Sequence, residues 1–256
     1  MFFSRCTLRC LYCQNYPWSQ MGRGEDYSPA DLLGVFRRLR QQGCHNWNWV
    51  SPTPWLPALL DALDALARAG ETLLPVVVNT SGYERVETIR ALAGRVAVYL
   101  ADLRYADNAT ALEASGADDY VESARAALEE MWRQVGPLRE EAGVAASGVI
   151  VRVLVLPGHA AEACASLRWL AGTLGRQVAV SVMAQYVPAH RAAGLEPWGR
   201  PVTGEEYEQV CEVAGECGFE TGWFQEHGVS APDGLVGFEM APSPKAGAGN
   251  NNGGAP

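Results

Sequence analysis

Cys6, Cys10 and Cys13 stand at Cys-x3-Cys-x2-Cys spacing, directly behind the short apolar start Met1-Phe2-Phe3. No other stretch limits the possible structures as strongly. Three thiolates within eight residues of sequence can wrap one small soft-metal centre. They can ligate three irons of a cubane [4Fe-4S] cluster and leave the fourth iron without a protein ligand. An open iron can bind a substrate or cofactor, which a fully ligated electron-transfer cluster does not readily do.

Other uses of three cysteines fit less well. A structural zinc site calls for four ligands, usually as two separated pairs. No second Cys-x2-Cys or His pair exists in this chain. A disulfide framework suits a small secreted domain, whereas this chain has 256 residues and an odd seven cysteines, with no signal peptide. Cys44, Cys164, Cys211 and Cys217 fall in helix or strand patterns and read as buried thiols. His45, His159, His190 and His227 form no metal-ligand pattern. A non-catalytic electron-transfer protein stays open as a second class, and it requires a fourth cluster ligand.

Strand-like and helix-like segments alternate along the chain. Strands are expected at 45–50, 73–80, 96–103, 148–156, 178–186 and, shorter, 219–224. Helices are expected at about 29–42, 56–69, 84–93, 161–174 and 203–217, with the stretch 106–135 broken near Ser115-Gly116. Ser28 before Pro29 is a good helix start, and Gly43 and Gly70 are good stops. This alternation predicts repeated βα units and an α/β fold with a parallel sheet. Runs such as Pro75-Val76-Val77-Val78 are apolar on both faces, as strands covered on both sides are. Six units match an open partial (β/α)6 barrel; a doubly wound sheet is the alternative. Only Phe2-Phe3-Ser4 precede the cluster loop, so the first strand is expected to be truncated. A core domain is expected over residues 1–240, and a disordered tail over 241–256, rich in Gly, Pro, Ala and Asn.

In parallel α/β folds, ligands sit at the C-terminal strand ends. Ser51 and Thr53, Asn79, Thr80 and Ser81, Asp102 and Arg104, and Gln185 and Tyr186 collect there. Arg152 lies inside the apolar run Val149–Leu156. A guanidinium in such a place must be paired or must face a polar ligand. It either bridges to Asp102 on the neighbouring strand or clamps a carboxylate. Trp47, Trp49 and Trp55 read as barrel packing and rim. Tyr12 and Tyr16 are divided between the core and an aromatic ligand contact.

The stretch Phe3-Ser4-Arg5-Cys6-Thr7-Leu8-Arg9-Cys10-Leu11-Tyr12-Cys13-Gln14-Asn15 resembles the cluster loop of radical S-adenosylmethionine (SAM) enzymes. It is most similar to the branch related to pyruvate formate-lyase activating enzymes. Asn79-Thr80-Ser81-Gly82-Tyr83, Asp102-Leu103-Arg104-Tyr105 and Met183-Ala184-Gln185-Tyr186-Val187-Pro188 also match the family, the second with Arg for Lys. Arg5 stands where the family has Gly, and Ser51-Pro52-Thr53-Pro54 where many members have a Gly-Gly-Glu-like segment beside the SAM amine.

The resemblance implies a partial barrel, a [4Fe-4S] cluster on Cys6, Cys10 and Cys13, and SAM. It implies reductive cleavage of SAM to a 5'-deoxyadenosyl radical that takes a hydrogen atom from a substrate, in some relatives a partner enzyme. It implies SAM contacts from Tyr12, Ser51, Thr53, Asn79, Ser81, Asp102, Arg104, Arg152 and Gln185, with Arg152 at the SAM carboxylate. It implies a flavodoxin- or ferredoxin-like reductant. A degenerate, truncated paralogue that binds the cluster poorly is a further alternative. The net charge of −9 argues against nucleic acid, and no apolar run approaches the roughly 20 residues of a bilayer span. A cytoplasmic location is expected.

Overall fold

The computed structural model describes residues 1–228; the expected tail at 241–256 lies outside the described residues. Six strands lie side by side and parallel: β1 (Trp47–Val50), β2 (Val76–Thr80), β3 (Val98–Asp102), β5 (Val144–Leu154), β6 (Ala179–Met183) and β7 (Gly222–Phe224). β4 (Arg139–Glu141) pairs antiparallel with the start of β5. The order β1-β2-β3-β5-β6-β7 ends at β7 and does not close on β1, which makes an open α/β sheet, as the alternation implies.

Residues 1–3 pair with the edge of β1. Phe2 forms a parallel bridge with Val50. The Phe3 N–H donates to the Val50 carbonyl at 3.1 Å, and the Val50 N–H donates to the Met1 carbonyl at 2.9 Å. This edge pairing brings the cluster loop to the end of β1.

Helices fill the crossovers. α1 (Tyr16–Ser19) is one turn directly behind the cysteines. α2 (Pro29–Gln41) starts on Ser28, whose hydroxyl accepts from the Asp31 N–H while Asp31 accepts from the Ser28 N–H. α3 (Leu56–Arg68) and α4 (Val86–Ala91) flank β2, and α5 (Asn108–Ser115) and α6 (Tyr120–Val135) follow β3. α7 (Ala160–Thr173) and α8 (Gly204–Cys217) pack together after β5 and β6. Trp47 and Trp49 are fully buried two residues apart, hence on one face of β1, against Phe36 of α2. Each such ring is worth roughly 4–6 kcal/mol of apolar burial before entropy. Trp55 is on the rim, its indole N–H donating to the Ser4 carbonyl.

Three expectations need correction. The strand read at 178–186 ends at Met183, so Gln185 lies in the loop beyond β6. The helix read at 84–93 is α4, which begins at Val86 and leaves Glu84 in the loop. The β4–β5 hairpin is absent from the sequence reading because Arg139-Glu140-Glu141 is charged and exposed, with no alternation. Gly148 lies inside β5, where the strand passes close to the chain just ahead of β4. Its φ is +128°, and a Cβ there would stand 2.6 Å from the Pro137 carbonyl oxygen.

Candidate functional site

The cysteine loop is held by backbone hydrogen bonds from two sides. The Arg9 and Leu11 N–H groups donate to the Ser115 and Ala114 carbonyls at the end of α5, at 3.0 and 2.8 Å. From the other side, the Arg191 N–H donates to the Leu11 carbonyl at 2.8 Å. Arg5 has φ +72°, the left-handed region that favours Gly. Its guanidinium covers Gly22 so closely that a Cβ there would lie 2.5 Å from the Arg5 Cζ. The substitution of Arg for Gly is thus accommodated by a glycine elsewhere.

Cys10 is buried, and Cys6 and Cys13 are partly exposed. Two donors point at the Cys10 sulfur: the Ser115 hydroxyl at 3.0 Å and Arg104 Nη1 at 3.3 Å. The Leu8 N–H donates to Cys6 Sγ at 3.5 Å, and Ser19 Oγ lies 3.2 Å from Cys13 Sγ. Burial pushes the Cys6 and Cys10 thiols up, which favours the protonated thiol until a metal displaces the proton. Among the described residues no three Cys, His, Asp or Glu side chains could hold a single metal ion. A cubane makes a different demand, since each thiolate takes its own iron. Three soft donors, with hydrogen-bond donors already aimed at one sulfur, fit a [4Fe-4S] cluster better than a zinc ion.

Beside the loop the strand ends form a charged network. Asp102 and Arg152 are register partners on β3 and β5. Arg152 Nε donates to Asp102 Oδ1, and its Nη2 to Asn79 Oδ1, both at 2.7 Å. Arg104 Nη2 donates to Asp102 Oδ2 at 2.6 Å. One buried carboxylate therefore orients two guanidinium groups, one of which reaches Cys10. The Asp102–Arg152 bridge that the sequence offered as one reading is formed.

Ser51, Thr53 and Ser81 line one pocket together with Cys6, Thr7, Thr80 and Glu84. Ser51 has φ +54°, and Ser81 Oγ lies 3.1 Å from Thr7 Oγ1 of the cysteine loop. Glu84 is 5% exposed. Its Oε1 accepts from the Thr53 and Thr80 hydroxyls at 2.6 and 2.5 Å. Its Oε2 is buried without a hydrogen-bond partner among the described residues. Burial pushes the Glu84 carboxyl up. The sequence reading missed Glu84, having placed it on a helix.

Tyr12 and Gln185 stand apart from that pocket. Tyr12 is buried between Tyr186 and Trp198, with its hydroxyl 2.5 Å from that of Tyr105. Tyr105 in turn reaches Ser115, the partner of Cys10. Tyr12, itself on the cysteine loop, thus anchors it in the core and is linked to Cys10 through the Tyr105 and Ser115 hydroxyls. Tyr16 stacks on His190 at 4.4 Å between ring centres. Gln185 joins the rim through amides. Gln14 Nε2 donates to its carbonyl at 3.3 Å, and Gln225 Nε2 to its Oε1 at 3.0 Å.

Residues 1–170, more than half of the chain, match the family model described as the Radical SAM superfamily. An uncharacterized protein of Methanocaldococcus jannaschii, MJ0674, is 28% identical over 225 residues, covering 84% of this chain and 61% of that protein. The chain therefore spans about three fifths of that relative's length. The [FeFe]-hydrogenase maturase HydG of Carboxydothermus hydrogenoformans superposes with a TM-score of 0.57 at 12% identity, over 88% of this chain and 52% of that one. Streptococcus suis SuiB, bound to the precursor peptide SuiA, superposes with a TM-score of 0.57 at 11% identity, over 88% and 48%. At such identities these two structures bear on the fold alone.

Proposed function

The chain belongs to the radical SAM superfamily, and from that premise we propose that Cys6, Cys10 and Cys13 hold an open-site [4Fe-4S] cluster that serves reductive cleavage of SAM. The observation that carries this reading is the Cys10 sulfur, already receiving Ser115 and Arg104 at the ends of a parallel sheet. When bound, the cluster and SAM supply carbon–sulfur bond cleavage and hydrogen-atom abstraction. The chain's own residues hold and shield. Ser115 and Arg104 place donors on an anionic sulfur, which favours the thiolate and raises the cluster's potential. Asp102 fixes the orientation of both Arg104 and Arg152. The fully buried Tyr105 and the nearly buried Tyr12 keep water from the back of the loop.

The loop itself offers three cysteines and no fourth, which supports an open iron over an electron-transfer role. Cys44 follows α2, Cys164 lies on α7, and Cys211 and Cys217 lie on α8. The reductant is proposed to be a flavodoxin- or ferredoxin-like protein, and the hydrogen donor a small molecule, a peptide or a partner enzyme.

Anaerobic reconstitution with iron and sulfide tests the reading. Uptake of about four irons per chain is expected, followed by formation of 5'-deoxyadenosine on addition of dithionite and SAM. Cys10→Ala should lose both. An intact cluster that neither binds nor cleaves SAM would refute the proposal.

A further inference from the structure

Three hydroxyls and one sulfur form a hydrogen-bonded chain behind the cysteine loop. The Tyr12 hydroxyl meets that of Tyr105 at 2.5 Å, Tyr105 meets the Ser115 hydroxyl, and Ser115 donates to Cys10 Sγ at 3.0 Å. The chain leaves the loop at Tyr12 and returns to it two residues earlier, at Cys10. All four residues are buried, which closes the chain off from bulk water. In the two tyrosine bonds either oxygen has the geometry of a donor, and the proton count decides the direction. Each hydroxyl carries one proton, and a thiolate that ligates iron carries none. Three bonds then share three protons. Only one arrangement makes every bond: Tyr12 donates to Tyr105, Tyr105 to Ser115, and Ser115 to sulfur. The far end of the chain agrees. Arg104, whose Nη1 lies 3.3 Å from the same sulfur, also acts on the Tyr12 hydroxyl. A guanidinium has donors and no acceptor, so the Tyr12 proton does not turn toward it.

We propose that Tyr105, backed by Tyr12, is a positioning residue for the Cys10 sulfur: the two phenol hydroxyls hold the Ser115 proton on Sγ and strengthen that bond. Tyr12, by donating to Tyr105, commits the Tyr105 proton to Ser115. That bond in turn commits the Ser115 proton to sulfur instead of to the Tyr105 oxygen. Hydrogen bonds in a row polarise one another, by about 10–30% per bond. The influence on the sulfur therefore fades outward, from Ser115 through Tyr105 to Tyr12. The assignment rests on the reading above, in which Cys10 ligates the cluster as a thiolate.

A double-mutant cycle on the reconstituted protein tests this. The readout is the midpoint potential of the cluster in an EPR-monitored titration, with iron content checked in each sample. Ser115→Ala should lower the potential, and Tyr105→Phe, which removes one oxygen and keeps the ring, should lower it by less. Because Tyr105 acts through Ser115, adding Tyr105→Phe to Ser115→Ala should cause no further shift. A Tyr105→Phe chain at the wild-type potential overturns the assignment. So do shifts that simply add in the double variant, since a tyrosine that only packs the loop or excludes water acts with or without Ser115. If Tyr105→Phe fails to load iron, Tyr12→Phe, one bond further out, completes the cycle under the same criteria. A wild type that takes up no cluster overturns the parent reading, a different result from a loaded cluster whose potential ignores the tyrosines.

Discussion

Gly82 is the tightest backbone contact at the site, and substituting it gives a prediction whose size can be worked out. Its φ is +79°, and an added Cβ would lie 2.0 Å from the Asp102 carbonyl oxygen. That oxygen is held in place: the Tyr120 hydroxyl lies 3.3 Å from it and 3.0 Å from the Ser81 carbonyl. Two costs add in Gly82→Ala. The left-handed backbone costs an L-residue about 1–2 kcal/mol. Forcing the strand end and the loop apart costs about 1–3 kcal/mol as overpacking. Loss of the glycine's freedom in the unfolded chain offsets about 0.4–1 kcal/mol.

The net expectation for Gly82→Ala is a loss of about 2–4 kcal/mol. Gly70→Ala is the matched control: φ is +70°, but nothing stands within 4 Å of the added Cβ. It isolates the backbone term and should cost about 1 kcal/mol. Equilibrium urea unfolding of the metal-free chains, with a shared slope, measures both. If the two variants lie within about 0.5 kcal/mol of each other, the close approach of the Asn79–Glu84 loop to β3 contributes nothing and the reasoning fails.

Other consequences follow from the same network. Asp102→Asn leaves two guanidinium groups without their shared carboxylate. Their side chains are 22% and 23% exposed, so the cost falls below that of a fully buried pair, at about 2–3 kcal/mol in urea unfolding at pH 7. Ser115→Ala removes a donor from Cys10 and should lower the reduction potential of the reconstituted cluster in an EPR-monitored titration. An unchanged potential would show that the hydroxyl serves packing only. Away from the site, bonds from Arg200 hold the Glu206 carboxyl down to about 2. A depressed folded pKa gives stability that is present above the ordinary value of 4.5 and is lost as pH falls from there toward about 2. The deficit of Glu206→Gln in urea midpoint should therefore shrink across that window, and a constant deficit would contradict the pairing.

What the sequence revealed, and what it hid, follows from the range of each signal. The cysteine spacing is local and could be read directly. Strand ends were legible because apolar runs stop where polar residues begin, which brought Ser51, Thr53, Asn79, Ser81, Asp102 and Arg152 into view. The Asp102–Arg152 bridge was one of two readings, and it took the register of β3 against β5 to set the two residues side by side. Glu84 was hidden because a glutamate ahead of Val86 looks like an ordinary helix start. Its burial depends on hydroxyls from two other segments, Thr53 and Thr80. Ser115 was visible only as a helix break; its contact with Cys10 spans 105 positions. The β4 hairpin left no periodic trace at all.

The pinning of the cysteine loop also sets an order of assembly. Its backbone is held by Ala114 and Ser115 at the end of α5 and by Arg191, and the Arg191 guanidinium reaches the Arg9 carbonyl across 182 positions. Contacts of that separation form late, because loop-closure entropy opposes them until the intervening chain has folded. The cysteine loop leaves the ribosome well before Arg191 does, and is thus among the last segments to be ordered. Its three thiols stay conformationally free until the stretch containing Arg191 has emerged, so iron delivered earlier meets a loose tripod, and iron delivered afterwards meets a formed one.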